Sequence, residues 1–332
     1  MMLRKSYLSM LSVKNRFLRA ALLALALTGP AFAGTDPAHE DSPLGSLQPA
    51  AVDASTDIMK ITAKRLFGGE KLPANLTPMP IGTYALGCLA GAQQLPITGP
   101  AWQVMRLSRN RNWAHPAMVN LVERIAAEAK EKDGWNGLLV GDMAQPRGGP
   151  MLSGHASHQI GLDADVWFTP MPDHVMSAAE RESKVPLEMV KSYKELNTDN
   201  WSESRARLIH TVASQPEVAR IFVNPPIKAE LCKWATGDRT WLAKVRPYFG
   251  HTFHFHVRMN CPPGAKACHN QWVPKPDDGT GCGKELAYWQ SDALWNPPKP
   301  KPGTPPPPKP KPKPPLTLAG LPAECRAVVA AP

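Results

Sequence analysis

The sequence predicts an α+β fold. Short apolar strands are separated by helical stretches of unequal length, a pattern that differs from the regular alternation of a repeating βαβ fold. No internal repeat is present. The chain has 332 residues, of which 43% are hydrophobic. It is therefore long enough for one large domain or two small ones.

Residues 1–33 have the features of a cleavable secretory signal. The basic residues of this segment are Arg4, Lys5, Lys14, Arg16 and Arg19, and it holds no acidic residue. An apolar stretch at 20–28 leads to Ala31-Phe32-Ala33, which has the A-x-A form of a cleavage site. The apolar stretch is much shorter than the ~20 residues that cross a bilayer. We therefore expect cleavage near Ala33 rather than a retained anchor, and no membrane span in the mature protein.

The main globular domain is predicted at 80–296, after a polar and poorly patterned lead-in at 34–79. An amphipathic helix is expected at 116–132, because it starts with a proline and carries an apolar stripe of one helical period. The stripe consists of Met118, Leu121, Val122, Ile125 and Ala129. Alternation and turn residues predict strands at 137–140, 161–168, 221–223 and 251–259, a Gly/Pro-rich loop at 143–154, and helices near 176–197 and 202–214.

A proline-rich strap at 297–315 separates this domain from a C-terminal tail at 316–332. The strap contains twelve prolines and five lysines. Proline fixes φ and has no N–H, so an extended and solvated polyproline segment is expected there. A spacer is the favoured interpretation, and a ligand for a proline-recognition domain is the alternative.

The charge of the chain does not indicate a nucleic-acid partner. The formal net charge is +10 and the sequence pI is about 9.4. Five of the positive charges lie in the signal segment and five in the strap, so the remaining chain is close to neutral. A nucleic-acid-binding protein presents its basic residues on a folded face. We therefore expect no nucleic acid among the partners.

The six cysteines predict disulfide bonds. They are Cys88, Cys232, Cys261, Cys268, Cys282 and Cys325. An even number in an exported chain is typical of a disulfide framework, although the spacing does not choose among the 15 possible pairings. A cysteine-ligated zinc site is the less favoured alternative, because there is no C-x-x-C motif.

Half of the ten histidines lie in two short windows, 154–165 and 251–256. On a strand, His254 and His256 point to the same side. Asp165 lies on the strand of the first window, and His158 lies in the turn before it. If the two strands are neighbours, these side chains converge.

Two imidazoles and one carboxylate form the three-ligand set of a catalytic zinc site, which keeps its fourth position open. The windows therefore predict a zinc hydrolase, with a neighbouring histidine that transfers protons. Copper or nickel would also accept imidazole ligands. The competing interpretation treats the histidines as ordinary surface residues of an exposed strand. Motifs of other catalytic classes, such as H-E-x-x-H, G-x-S-x-G, or S-x-x-K with K-T-G, are absent from the sequence.

At these residues the chain resembles the penicillin-insensitive murein endopeptidases, which belong to a wider group of lysostaphin-like, D-Ala-D-Ala and hedgehog-type zinc domains. The group pattern of H-x6-D followed by H-x-H is matched by His158 to Asp165 and by His254-Phe-His256. The closer family adds the GHASHQxGLDxD stretch at 154–165, Ile-Phe-Val-Asn-Pro at 221–225 and Lys-Val-Arg-Pro at 244–247. The resemblance covers about residues 80–325.

The resemblance implies a small antiparallel sheet flanked by helices, and periplasmic hydrolysis of the D-alanyl–meso-diaminopimelyl cross-links of peptidoglycan. It implies that His158, Asp165 and His256 hold Zn²⁺ and that His254 is the catalytic histidine. It also implies that His155 and His251 line the site. The disulfide bonds that it implies are Cys88–Cys325, Cys232–Cys282 and Cys261–Cys268.

The chain departs from the family at a second metal position. Some members hold a second zinc with the histidine that corresponds to His155 and a downstream Asp-x-x-His. Here the comparable stretch reads Ser192-Tyr-Lys-Glu195. One zinc is therefore expected, and Glu195 is the remaining candidate for a ligand to a second metal.

Two rival functions remain open from the sequence. The first is a zinc D,D- or L,D-carboxypeptidase, which would need a clamp for a terminal carboxylate. Arg258 is a candidate for that clamp, although a solvated arginine at a strand edge is the simpler interpretation. The second is an inactive wall-binding relative, which is disfavoured because every predicted ligand position is intact.

Overall fold

The computed structural model describes residues 58–296 and 314–332. The predicted signal, the first part of the lead-in and most of the strap lie outside these residues.

The strands are β1 (Met79–Thr83), β2 (Leu86–Ala90), β3 (Gln93–Gln94), β4 (Thr98–Gly99), β5 (Trp102–Val104), β6 (Trp113–Ala114), β7 (Leu138–Val140), β8 (Asp163–Trp167), β9 (Val190–Ser192), β10 (Glu195–Leu196), β11 (Val218–Val223), β12 (Val245–Pro247) and β13 (His254–Met259). The α-helices are α1 (Ala63–Gly69), α2 (Pro116–Lys132), α3 (Ala178–Ser183), α4 (Glu203–Ser214), α5 (Pro225–Trp234), α6 (Lys284–Trp289), α7 (Asp292–Trp295) and α8 (Cys325–Ala330).

The framework is a seven-stranded sheet in the order β12-β11-β13-β8-β7-β5-β4. The four central strands, from β11 to β7, pair antiparallel, whereas β11 pairs parallel with β12 and β5 pairs parallel with β7. The α+β class is confirmed. The expected small antiparallel sheet is wrong, because the sheet is larger and mixed.

The two parallel pairs have a common cause. Parallel neighbours need a crossover connection, which is usually a helix. Helix α2 lies between β5 and β7 in the chain, and α5 lies between β11 and β12. Each strand–helix–strand unit therefore adds a parallel strand to one side of the antiparallel centre.

Helix α2 confirms the prediction at 116–132. His115 caps its start by accepting a hydrogen bond at Nδ1 from the backbone N–H of Ala117, 3.2 Å away, and Pro116 occupies the first turn. The predicted apolar stripe is buried along its whole length. It packs with α4 and α5 against one face of the sheet, where β8 and β13 contribute Ala164, Val166, Phe255 and Val257.

The single helix expected near 176–197 is wrong. The segment holds only the short α3, followed by the hairpin of β9 and β10. Ser177 and Glu180 form a capping box that starts α3. Pro186 lies just beyond the helix; it restricts the preceding residue to extended backbone and has no N–H to continue the helix. The second expected helix, at 202–214, is confirmed by α4.

A second apolar cluster joins α1 to the C-terminal helix α8. Phe67 of α1 is fully buried there beside Cys88, Leu318, Cys325 and Val328. The lead-in is therefore part of the packed body from α1 onward. Among the described residues, no helix combines the length and the apolar character needed to cross a membrane.

All six cysteines form disulfide bonds. The pairs are Cys88–Cys325, Cys232–Cys282 and Cys261–Cys268, the pairing that the resemblance implies. The first bond connects the tail beyond the strap to the globular domain across 237 positions of sequence.

Candidate metal centre

The two histidine windows meet on neighbouring antiparallel strands. In the register of β8 and β13, His256 lies opposite Asp165, Arg258 opposite Asp163, and His254 opposite Trp167. Alternate residues of a strand share one face. The polar residues of both strands therefore occupy the face opposite the apolar core.

The turn before β8 brings His158 to this face. His158 has a left-handed backbone with φ of 69°, which is uncommon for a residue other than glycine. Gly161 also has a positive φ of 69°, and a Cβ there would lie 2.5 Å from Leu89 and 2.8 Å from the backbone of His115. Only glycine fits at that position, so the turn that positions His158 depends on it.

The predicted ligand atoms lie close together around one carboxylate oxygen. His158 Nε2 is 3.5 Å from Asp165 Oδ1, and His256 Nδ1 is 3.3 Å from the same oxygen. A tetrahedral zinc with bonds of about 2.0–2.1 Å separates its ligand atoms by roughly 3.3 Å. Both distances to this oxygen therefore suit ligand atoms of one tetrahedral metal ion.

Unpaired buried atoms support the same fit. Both ring nitrogens of His158, Oδ1 of Asp165 and Nδ1 of His254 are buried and have no hydrogen-bond partner among the described residues. Buried polar groups are almost always paired, because an unpaired one costs free energy. A metal ion would satisfy Nε2 of His158 and Oδ1 of Asp165.

Asp163 fixes the orientation of His256. Its carboxylate accepts four hydrogen bonds, from the backbone N–H of His158, from His256 Nε2 at 2.9 Å, and twice from Arg258. With Nε2–H donating to Asp163, Nδ1 is the nitrogen left to bind a metal. A carboxylate behind a ligating histidine is the usual second contact at zinc sites.

His256 is strongly influenced by these carboxylates. Burial alone would lower its pKa, but the charge of Asp163 and hydrogen bonds to Asp163 and Asp165 outweigh that effect and raise the pKa to about 9. Metal binding at Nδ1 would therefore displace a proton.

His155 is the third histidine beside Asp165. His155, His158 and Asp165 each offer one donor atom, and these three atoms lie within 4.8 Å of one another. That trio contains His155 in place of His256, so His155 also has the position of a metal ligand. Its Nδ1 is 3.5 Å from Asp165 Oδ2.

The other ring nitrogen of His155 contacts the buried carboxylate of Asp142 at 2.9 Å. Asp142 also accepts hydrogen bonds from Arg109 and Arg111. Burial would raise the pKa of Asp142, but the hydrogen bonds from His155 and Arg111 and the charge of Arg109 lower it to about 2. Asp142 therefore stays ionised and orients His155.

His254 and His251 lie at the edge of this group. His254 Nε2 is 3.7 Å from Asp165 Oδ1, and burial lowers the pKa of His254. His251 precedes β13 with φ of 54°, and its Nδ1–H donates to the Phe249 carbonyl at 2.7 Å. That bond leaves Nε2 of His251 as an acceptor.

The structure does not bring Glu195 to these residues. Glu195 is exposed at the start of β10, in the hairpin with β9, and is outside the trio of donor atoms described above. The described residues therefore offer no carboxylate from that hairpin for a second metal.

Arg258 is neither solvated nor free to act as a clamp. It is 5% exposed, and its Nε and Nη2 donate to Asp163 at 2.7 and 3.2 Å. Its Nη1 donates to Gln271 at 2.6 Å. The expectation of a solvated arginine at a strand edge is wrong, because Asp163 compensates its charge inside the sheet.

Sequence reasoning missed Asp163 and Asp142 as site residues. Asp163 shares a strand face with Asp165, so alternation was a usable signal for it. Asp142 follows β7, and two strands and one helix separate it in the sequence from Arg109 and Arg111, so no local pattern marks it.

A groove leads away from this group of residues. It has a volume of about 760 Å³, and its lining includes His155, His251 and His256. Its walls carry arginines and aromatic residues, among them Arg220, Phe222, Arg246, Arg258, Tyr248 and Trp289. A pocket of this size accommodates an extended peptide segment rather than a single small ion.

Comparison with known proteins gives one consistent result. The sequence model of the penicillin-insensitive murein endopeptidase family matches residues 80–330. A protein of that name from Haemophilus influenzae is 46% identical over 220 residues, which cover 66% of this chain and 74% of the relative. Proteins of the same name from Klebsiella pneumoniae and Yersinia enterocolitica are 42% and 43% identical, and the matches cover 77% and 78% of their lengths.

Proposed function

Because this chain belongs to the family of penicillin-insensitive murein endopeptidases, we propose that it hydrolyses the D-alanyl–meso-diaminopimelyl cross-links of peptidoglycan with one Zn²⁺. His158, Asp165 and His256 would hold the metal. The chain is a murein endopeptidase, a hydrolase of a metallopeptidase family that acts on peptidoglycan.

One observation carries the choice of ligands. The donor atoms of His158 and His256 approach the same oxygen of Asp165 at 3.5 and 3.3 Å, and those of His158 and Asp165 are otherwise unpaired. His256 lines the groove, so a peptide in the groove would lie beside these atoms.

The residues around the ligands have separate tasks. Bound Zn²⁺ would lower the pKa of a coordinated water molecule and polarise the scissile carbonyl. Burial lowers the pKa of His254 and so keeps it neutral at pH 7. Its Nε2, which lies 3.7 Å from Asp165 Oδ1, accepts a proton from the attacking water and passes it to the leaving amine. His251 offers Nε2 as an acceptor to the substrate, and Asp163 keeps His256 in the tautomer that leaves Nδ1 free.

The substrate also decides where the enzyme acts. Peptidoglycan lies outside the cytoplasm, so the protein works in an extracytoplasmic compartment. Together with the predicted signal at 1–33, this supports the periplasm as the location.

Digestion of cross-linked muropeptide dimers tests the proposal. The purified mature protein is incubated with dimers, with and without a chelator, added Zn²⁺ or penicillin, and the products are weighed by mass spectrometry. We expect dimers to become monomers, chelator to abolish the reaction, Zn²⁺ to restore it, and penicillin to have no effect.

Two results would overturn parts of this proposal. Full activity in excess chelator would exclude the metal mechanism. Release of a terminal alanine without any cleavage of dimers would identify a carboxypeptidase instead. His174→Ala removes an exposed histidine whose ring contacts Asp173 and Glu180 rather than the proposed ligands, so it is the matched control and should behave like the wild type.

A further inference from the structure

Three arginines line the groove, and two of them are already neutralised. Arg258 forms a two-point ion pair with Asp163. Arg246 donates to Glu285 through Nε at 2.7 Å, and its Nη2 lies 2.6 Å from the same oxygen. Their donors are therefore largely committed within the protein.

Arg220 differs from both. Among the described residues no carboxylate lies within ion-pair distance of it, and its one side-chain hydrogen bond goes from Nη1 to Gln271 at 3.2 Å. Its Nε and Nη2 are left to donate elsewhere. The guanidinium is half-buried in the groove wall and packs on the Phe222 ring at 5.4 Å.

The surroundings of Arg220 repel a cation. It lies directly opposite Arg258 in the antiparallel pair of β11 and β13, and like charges in that position are destabilising. Burial, together with the charges of Arg258 and Arg246, lowers the pKa of Arg220 to about 10, so it remains charged at neutral pH. A half-buried guanidinium that lies opposite another cation, with no ion-pair partner among the described residues, costs the fold free energy. An anion in the groove would remove that cost.

The position of Arg220 relates it to the reaction. The Phe222 ring lies 5.4 Å from the Arg220 guanidinium carbon and 5.3 Å from the His256 ring, so a single phenyl ring separates Arg220 from the candidate ligand. One residue of extended peptide spans ~3.3–3.6 Å. A group on a residue next to the scissile bond, or on the following one, would reach Arg220.

We infer that Arg220 binds a carboxylate of the peptide stem and thereby selects substrates for the reaction. This rests on the proposed function, because the groove must hold a peptidoglycan peptide. The diaminopimelyl residue that supplies the scissile nitrogen bears a carboxylate on the same carbon atom. A second source is the acidic residue farther along the stem. The guanidinium fork offers two parallel hydrogen bonds to either carboxylate.

The test compares three dimers. The first is unmodified, the second has the diaminopimelyl carboxylate converted to a carboxamide, and the third has the carboxylate of the acidic residue farther along the stem converted to a carboxamide. The values of kcat and KM are measured for the Zn²⁺-loaded wild type and for Arg220→Gln. We expect the kcat/KM of the wild type to be about 10- to 100-fold higher for the unmodified dimer than for the dimer that lacks the carboxylate bound by Arg220. Arg220→Gln should cleave these two dimers with similar kcat/KM, and it should match the wild type on the dimer that lacks the bound carboxylate.

The outcomes separate the two proposals. If the wild type cleaves none of the dimers, the proposed function fails. If it cleaves them and Arg220→Gln loses the same factor on every form, Arg220 has only a structural role and the inference fails. Whichever conversion removes the difference between the two enzymes identifies the carboxylate that Arg220 binds.

Two further variants guard against misfolding. Arg220→Lys keeps the charge but lacks the planar fork, so it should recover part of the preference. Arg207→Gln removes an exposed arginine of α4 and should leave both the preference and the rate unchanged. Zinc content and melting temperature are measured for each variant.

Discussion

The group of residues around Asp165 and the C-terminal anchor differ in how completely their polar atoms are paired. We define the anchor as helix α8 with Cys88, Cys325 and Arg147. Around Asp165, four buried atoms have no partner among the described residues. In the anchor, Arg147 donates to the carbonyls of Val328, Val329 and Ala331 and pairs with Glu70.

This difference in pairing distinguishes a candidate binding site, around Asp165, from a region with a purely structural role, the anchor. The anchor holds a short tail that follows the strap and would fray without its bonds. Its arginine comes from the loop after β7 and donates to carbonyls at the C-terminal end of α8, where cations satisfy free carbonyls. The residues around Asp165 instead keep donor atoms unpaired, which costs stability in the protein alone. A ligand that binds the site only in the folded protein should therefore raise the free energy of unfolding by mass action.

The largest effect is expected from removing a ligand. His256→Ala should lose both its zinc and its activity, because it removes a ligand atom of the metal. His254→Ala should keep its zinc and lose ~10²–10⁴-fold in rate, the usual contribution of a general acid or base. Metal analysis and dimer digestion measure both quantities. Metal-free His254→Ala together with zinc-loaded His256→Ala would reverse the two roles.

The next effect is on stability, at the anchor. Cys325→Ser removes a bond that closes a loop of 237 positions, which the chain-entropy account values at ~5–6 kcal/mol. We expect a melting temperature lower by about 10–20 °C, a free thiol at Cys88, and unchanged zinc content. Calorimetry and metal analysis measure the outcome. A non-reduced tryptic digest linking Cys88 to a cysteine other than Cys325 would refute the connection.

The smallest effect is expected from Arg147→Met. The change leaves carbonyls of α8 without their donor and leaves Glu70 unpaired, at a cost of about 1–3 kcal/mol. Thermal unfolding should show a decrease smaller than that of Cys325→Ser, with zinc content and activity retained. Arg65→Met removes an exposed arginine of α1 and serves as the control. A loss of zinc in Arg147→Met would mean that the two regions are energetically coupled.

Local patterns predicted the elements on which the site depends. The helical period and the first-turn proline fixed α2 at its observed bounds. Alternation placed the strands that became β8 and β13, and the prediction extended each of them by a few residues. The helix expected near 176–197 is wrong because Pro186 interrupts that segment, and the backbone cannot remain helical there.

The sequence by itself determined the chemistry of the site. The residues of the candidate metal site are of recognisable types, and two of the three proposed ligands lie within one window of eight residues, His158 to Asp165. Such information is local, because donor type and strand alternation depend on a few neighbouring positions.

Only the tertiary structure decided which polar side-chain atoms are paired within the protein and which remain free to bind a metal ion or a substrate. Asp163 and His256 are 93 positions apart, and Arg147 and Val328 are 181 positions apart. Arg220 and Arg258 are chemically alike and lie opposite each other, yet Asp163 neutralises one and no described carboxylate neutralises the other. These pairings follow from the register and order of strands. The sheet fixes both through contacts between distant segments, and no local sequence pattern carries that information.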